Sequence, residues 1–154
     1  MHYILIVCAA NVCRSPMAQI VATQLSQRAG MSRQVSFDSA GVHASKSRMP
    51  IDARAAATLE RRGYVVRKTR SRPVEARDFK RFDLILAMDR ANYSELQRMC
   101  PPESLHKLKM FLSVGREMDV DEVPDPYYGN SEGFERVLDL CEAGVQGILS
   151  CTLV

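Results

Sequence analysis

The chain has 154 residues, and its 21 lysines and arginines against 18 acidic residues give a formal charge of +3. Its 46% hydrophobic and 25% charged content is that of a folded globular domain and excludes a disordered or fibrous chain. No apolar stretch reaches the length of a membrane span, the N-terminal run lacks a cleavage region, and five cysteines without a C-x-x-C pair, beside three histidines, argue against a metal site.

These features predict one domain over residues 1–154, cytoplasmic, with its cysteines as thiols. Tyr3-Ile4-Leu5-Ile6-Val7 is a continuous apolar run rich in β-branched residues and predicts a strand buried on both faces. Pro16 suits the first turn of a helix, and Ala18, Ile20, Val21, Ala22 and Leu25 continue it at helical spacing until Gly30. Val35–Ala40 alternates and predicts a second strand, followed by a loop from Gly41 to Pro50. Asp52 caps a helix through Ala55, Ala56, Ala57 and Leu59, ending near Gly63.

A basic segment follows, with Arg61, Arg62, Arg67, Lys68, Arg70, Arg72, Arg77, Lys80 and Arg81 close together. It reads first as a solvated face, and second as a surface that attracts an acidic partner or phosphorylated tail. Aromatic residues suited to base stacking are sparse there, which argues against nucleic acid. A short helical piece is expected near Glu75–Phe79, a third strand at Phe82–Met88 and a helix from Asp89 to Met99, stopped by Pro101-Pro102. Lys107–Leu112 predicts a fourth strand. Ser131 is expected to cap a last helix whose apolar stripe is Phe134, Val137, Leu138, Cys141, Val145 and Ile148. Strands alternating with helices predict a doubly wound, four-stranded parallel sheet flanked by helices on both faces. Its ligands belong beyond the carboxyl ends of the strands.

The loop from Cys8 to Arg14 lies at such a place, between the first strand and the first helix. Unpaired backbone N–H groups and the helix dipole make it an anion site. Helix N-termini and cations favour the thiolate of a cysteine, so Cys8 is placed for nucleophilic attack. Arg14 offers a planar fork for two phosphate oxygens, and Ser15 a hydroxyl for the thiolate. A leaving alkoxide or phenoxide needs a proton. Asp125, between Pro124 and Pro126, is the best candidate donor, with Asp119, Asp121 and Glu122 as rivals.

The two segments together resemble the low-molecular-weight protein tyrosine phosphatases. Cys8–Pro16 matches the family's C-x-x-N-x-C-R-S-P loop, and Asp125–Gly129 its D-P-Y-Y-G loop. Asp38-Ser39-Ala40-Gly41 and Phe82–Asp89 stand between them in the family's order. The resemblance implies hydrolysis of protein phosphotyrosine through a cysteinyl-phosphate intermediate, without metal or cofactor. It implies Cys8 as nucleophile, Arg14 as phosphate clamp and Asp125 as general acid and then base. Ala9, Ala10, Asn11, Val12, Cys13, Arg14 and Ser15 would form the phosphate loop, braced by Asn11, Ser15 and Ser39. Tyr127, Tyr128 and the position of Ser45 would wall the substrate, and Cys13 would be the redox partner of Cys8. The implied partner is a tyrosine-phosphorylated protein, with a tyrosine kinase as one candidate. Nucleic acid and membrane insertion are not expected, and the chain is expected as a monomer or weak dimer.

Some positions depart from the family pattern. Ala10 replaces a usual glycine, Ser45 a common aromatic residue and Thr69 a loop-bracing histidine. Lys46 and Arg48 add charge near the mouth and read first as solvated, and second as favouring acidic peptides. Related arginine phosphatases carry threonine where this chain has Val12. An arsenate reductase of the same fold and a non-catalytic phosphate-binding module are the alternatives.

Overall fold

The apolar N-terminal run becomes β1 (His2–Cys8), and its alternation divides the interior in two. In a computed structural model that describes residues 1–115, 118–127 and 129–152, Ile4, Ile6 and Cys8 face one apolar cluster, and Leu5 and Val7 face the other. After β1 come α1 (Arg14–Arg28), β2 (Val35–Gly41), α2 (Ala53–Arg61), α3 (Asp78–Arg81), β3 (Leu84–Ala87), α4 (Arg90–Met99), β4 (Leu108–Met110) and α5 (Ser131–Thr152). The strands form one sheet in the order β2-β1-β3-β4, and every pairing is parallel. Helices α1, α2 and α5 supply the first cluster, while Phe79 of α3 and Leu96 of α4 belong to the second. Each fully buried Leu, Ile or Phe contributes about 1.5–3 kcal/mol, so the central strand is fixed from both sides.

The expected doubly wound sheet is therefore present, and the differences lie at element ends. The fourth strand covers Leu108–Met110 and not Lys107–Leu112. Lys107 closes a 3₁₀ turn, where its Nζ donates to Phe79 O at 2.7 Å. Phe111 opens another and is fully buried. Gly144 of α5 receives that ring: a Cβ there would lie 2.4 Å from Phe111 Cε1. The cap of α5 is Asn130, whose Oδ1 accepts from Gly133 N at 3.2 Å, and Ser131 is already in the helix. The helical piece expected at Glu75 starts at Asp78, because the Asp78 carboxylate accepts the Glu75 N–H at 2.8 Å and closes a turn first.

The basic segment has two fates. Arg62 joins Asp139 and Glu142, each at 2.7 Å, and clips the end of α2 to α5. Arg72 is drawn inside, 3.0 Å from the buried Asp78 and 3.1 Å from Asp38. No helix of the described residues is long and apolar enough to cross a membrane.

Candidate active site

At the carboxyl end of β1 the chain turns sharply through Cys8–Cys13 into α1. Three carbonyls of this turn are engaged by neighbouring loops. Cys8 O accepts from Val42 N at 3.0 Å, Ala9 O from His43 N at 2.8 Å and Val12 O from Asp52 N at 2.8 Å. Among the described residues, the N–H groups of Val12, Cys13, Arg14 and Ser15 have no backbone acceptor, as expected where a helix begins. The turn rests on Gly41, where a Cβ would stand 2.5 Å from Ala9 O. Asn11 adopts φ 60°, the left-handed conformation that asparagine tolerates. Ala10 keeps a negative φ, so its methyl introduces no backbone strain and simply lines the cavity.

Asn11 organises the turn. Its Nδ2 donates to Ser15 Oγ at 2.8 Å and to Ser39 Oγ at 3.0 Å, and its Oδ1 accepts from Arg72 N at 3.0 Å. Ser39 in turn donates to Gln19 Oε1 at 2.6 Å. Cys8 Sγ lies 3.0 Å from Ser15 Oγ and accepts from Asn11 N at 3.3 Å. With Asn11 donating to its oxygen, the Ser15 hydroxyl has two acceptors within reach of its proton, Ala40 O at 3.4 Å and a Cys8 thiolate at 3.0 Å. Thr69 plays no part in this bracing: its Oγ1 is buried without a hydrogen-bond partner, and the Arg72 backbone serves Asn11 instead.

Arg14 is 3% exposed. Its Nη1 donates to Asp89 Oδ2 at 2.6 Å and to Val123 O at 2.9 Å, and Nη2 stands 3.8 Å from Asp125 Oδ2. Burial works against its charge, but the Asp89 bond and the negative charges of Cys8, Asp89 and Asp125 outweigh that and hold the guanidinium more firmly protonated than usual. Asp89 also caps α4, accepting from Asn92 N at 2.8 Å.

The acid loop is pinned at its stem. Val123 N donates to Met88 O at 2.8 Å, and Glu122 accepts from Arg90 N at 2.8 Å while Asp121 pairs with the Arg90 guanidinium. Asp121 and Glu122 are thus turned to the α4 side, and Asp125 alone of the four acids lines the cavity. Tyr127 N donates to Asp125 Oδ1 at 3.0 Å, a local turn that sets the carboxylate. Half of the Asp125 side chain is exposed.

These groups converge on one cavity of about 670 Å³ whose lining includes Cys8, Ala10, Val12, Cys13, Arg14, Asp125 and Tyr127. The aliphatic wall of the cavity corrects the expectation for Ser45. That residue is not among the lining groups; its Oγ accepts from Ser47 N at 3.0 Å, and Met49, Pro50 and Ile51 supply the wall. Tyr128 lies outside the described residues.

Cys13 lines the cavity beside Cys8 and is itself buried. Burial first, then the negative charges of Asp52, Cys8 and Asp125, push its thiol up to about 12. Cys100 sits in the other apolar cluster, with its thiol on Pro101 O at 3.3 Å, so it is not placed to exchange with Cys8. Arg54 was not anticipated. Held by Asp52 through contacts of 3.1 and 2.9 Å, it covers the Tyr127 ring at 5.5 Å and the Phe134 ring at 4.8 Å. Asp89 was missed as well, although it follows β3 at the sheet end that marked the Cys8 loop.

A family model described as low molecular weight phosphotyrosine protein phosphatase matches residues 3–153. The chain is 38% identical over 148 residues to a putative low molecular weight protein-tyrosine-phosphatase of Synechocystis sp., covering 96% of this chain and 94% of that one. It is 32% identical over 139 residues to the human low molecular weight phosphotyrosine protein phosphatase, covering 90% and 87%. The crystal structure of a protein tyrosine phosphatase from Entamoeba histolytica, with Hepes in its active site, is similar with a TM-score of 0.91 at 37% identity, over 97% of this chain and 95% of that one. YfkJ from Bacillus subtilis gives a TM-score of 0.91 at 32% identity, over 98% and 94%. The chain belongs to the low molecular weight phosphotyrosine protein phosphatases. Its activity is accordingly that of a protein-tyrosine-phosphatase working through a cysteine.

Proposed function

We propose that residues 1–154 act as one phosphatase domain in which Cys8, Arg14 and Asp125 carry out the reaction on a tyrosine-phosphorylated protein. The observation that carries this assignment is the meeting of a hydrogen-bonded thiol, a buried guanidinium and a half-exposed carboxyl around one cavity. The Cys8 thiolate attacks phosphorus; the S–P bond forms as the bond to the tyrosine oxygen breaks. Asp125, protonated at that moment, gives its proton to the departing phenoxide. In the second step the Asp125 carboxylate takes a proton from water, the water oxygen attacks phosphorus, and the S–P bond breaks to return the thiolate and release phosphate.

The N–H groups of residues 9–15 and Arg14 are charge-stabilising donors fixed in advance of the reaction. Ser15 eases the departure of the thiolate, and Asn11 and Ser39 hold Ser15 and the turn in place. Tyr127 and the Met49–Ile51 wall embrace a flat ring, which favours an aryl phosphate over the phosphate of a short side chain. Cys13, kept as a protonated thiol, stands ready to form a disulfide with Cys8 once Cys8 is oxidised to a sulfenic acid, with loss of water.

Phosphate release from peptides bearing phosphotyrosine, phosphoserine or phosphoarginine tests the assignment, with Cys8→Ser as control. Turnover is expected on phosphotyrosine alone, and Cys8→Ser is expected to lower kcat by about 10⁴-fold or more with an unchanged melting temperature. Comparable turnover by Cys8→Ser, or preference for phosphoarginine, would overturn it.

A further inference from the structure

The cavity wall made by Met49, Pro50 and Ile51 is itself built on the basic segment. Pro50 pairs antiparallel with Arg70, Ser71 N donates to Met49 O at 2.8 Å, and Ser71 Oγ accepts from Met49 N at 2.7 Å. Arg48 and Arg70 are thereby fixed on neighbouring stretches at the cavity's edge. Arg48 is held at φ 40°, a conformation unfavourable for a side chain of its size. Lys46, Arg67 and Lys68 lie close along the same two stretches, and all five are exposed.

None of the five has a carboxylate within ion-pair distance among the described residues, whereas Arg62, Arg72 and Arg90 each hold more than one. On the acid loop, Asp125 is the carboxylate that reaches the cavity, since Arg90 holds Asp121 and Glu122 on the α4 side. The uncompensated cations of the mouth are therefore gathered beside the aliphatic wall.

Resting on the reading of this cavity as the phosphotyrosine site, we propose that Arg48 and Arg70, supported by Lys46, Arg67 and Lys68, select phosphotyrosine segments flanked by acidic residues. An extended peptide advances about 3.3 Å per residue, so residues two to four away from the phosphotyrosine lie about 7–13 Å from it. Fully solvated cations lose little on meeting a carboxylate, and each exposed contact is worth a few-fold in affinity. The preference therefore resides in KM, is shared among several contacts and fades as salt shortens the reach of charge.

The test compares kcat/KM of the full chain on three phosphotyrosine peptides, flanked by glutamates, by neutral residues or by lysines, and on p-nitrophenyl phosphate. The glutamate-flanked peptide is expected to be the best substrate, about tenfold ahead of the neutral one at low salt and much less so in about 0.5 M salt. The pair Arg48→Glu and Arg70→Glu is expected to abolish this lead and make the lysine-flanked peptide the best, with p-nitrophenyl phosphate turned over at the original rate. Equal KM for all three peptides on the original protein would overturn the proposal and leave the phosphatase assignment standing. So would an equal loss on every substrate in the double variant, which would mark the two arginines as supports of the wall. Retention on phosphatidylserine vesicles with no peptide preference would overturn it in favour of a membrane surface. Absence of turnover on p-nitrophenyl phosphate by the original protein would take down both readings.

Discussion

Between Cys8 and Ser15 the polar side chains are buried and bound on nearly every side, while Asp125, across the same cavity, is half exposed and held by one backbone N–H and a distant guanidinium. The contrast follows the two jobs. A group that stabilises developing charge works best when it need not move, and a network of fixed donors provides that. A group that gives and regains a proton in each cycle must meet the leaving oxygen, then water. The rigid half is built from β1, β2 and α1; the acid is carried on a turn whose stem is pinned at Val123 and below.

Asp125→Asn tests the acid half most directly. It is expected to lower kcat by about 10²–10⁴-fold on phenyl phosphate, which has a poor leaving group, and much less on p-nitrophenyl phosphate, with no change in melting temperature. Equal losses on both would place the proton elsewhere. Asn11→Ala probes the rigid half and is expected to lose rate and stability together. Burying Ser15 and Ser39 without their donor costs about 1–3 kcal/mol, seen as a lower urea midpoint beside a kcat loss of about tenfold.

The Cys13 thiol sharpens the comparison through pH. Its value rises from the ordinary 9.0 to about 12 in the fold, so between these limits the unfolded chain has lost a proton that the folded protein keeps. Stability is therefore expected to be flat on this account below pH 9.0 and to fall as pH rises towards about 12. Urea midpoints at about pH 8 and about pH 10 should differ less in Cys13→Ala than in the original protein. The smallest effect belongs to the rim: Arg54→Ala removes a cation from the Tyr127 face and should raise KM for aryl phosphates about threefold with kcat unchanged.

The sequence carried the central chemistry because local rules decide it. A buried strand, a proline-led helix and the residues between them bring Cys8 and Arg14 to one cavity, and Asn11 takes the left-handed conformation its side chain permits. Asp125 stands out from its neighbours in the sequence by its two flanking prolines, and in three dimensions Arg90 draws Asp121 and Glu122 aside. The wall was misplaced. Nothing local to Ser45 says that pairing between Pro50 and Arg70 will push Met49–Ile51 forward in its stead. Asp89 reads in the sequence as the first residue of a helix; it caps that helix instead, and its second partner lies 75 residues away.

That double attachment of Asp89 has a consequence for how the protein can change over time. One oxygen secures the first turn of α4 and the other secures the guanidinium of Arg14. A neutral cap such as serine would preserve the helix and release Arg14 from a neighbour that fixes its position and its charge. A longer acid such as glutamate would keep the charge but lose the short reach to Asn92 N. Drift at this position is closed from two directions at once, so folding and turnover cannot be tuned separately here.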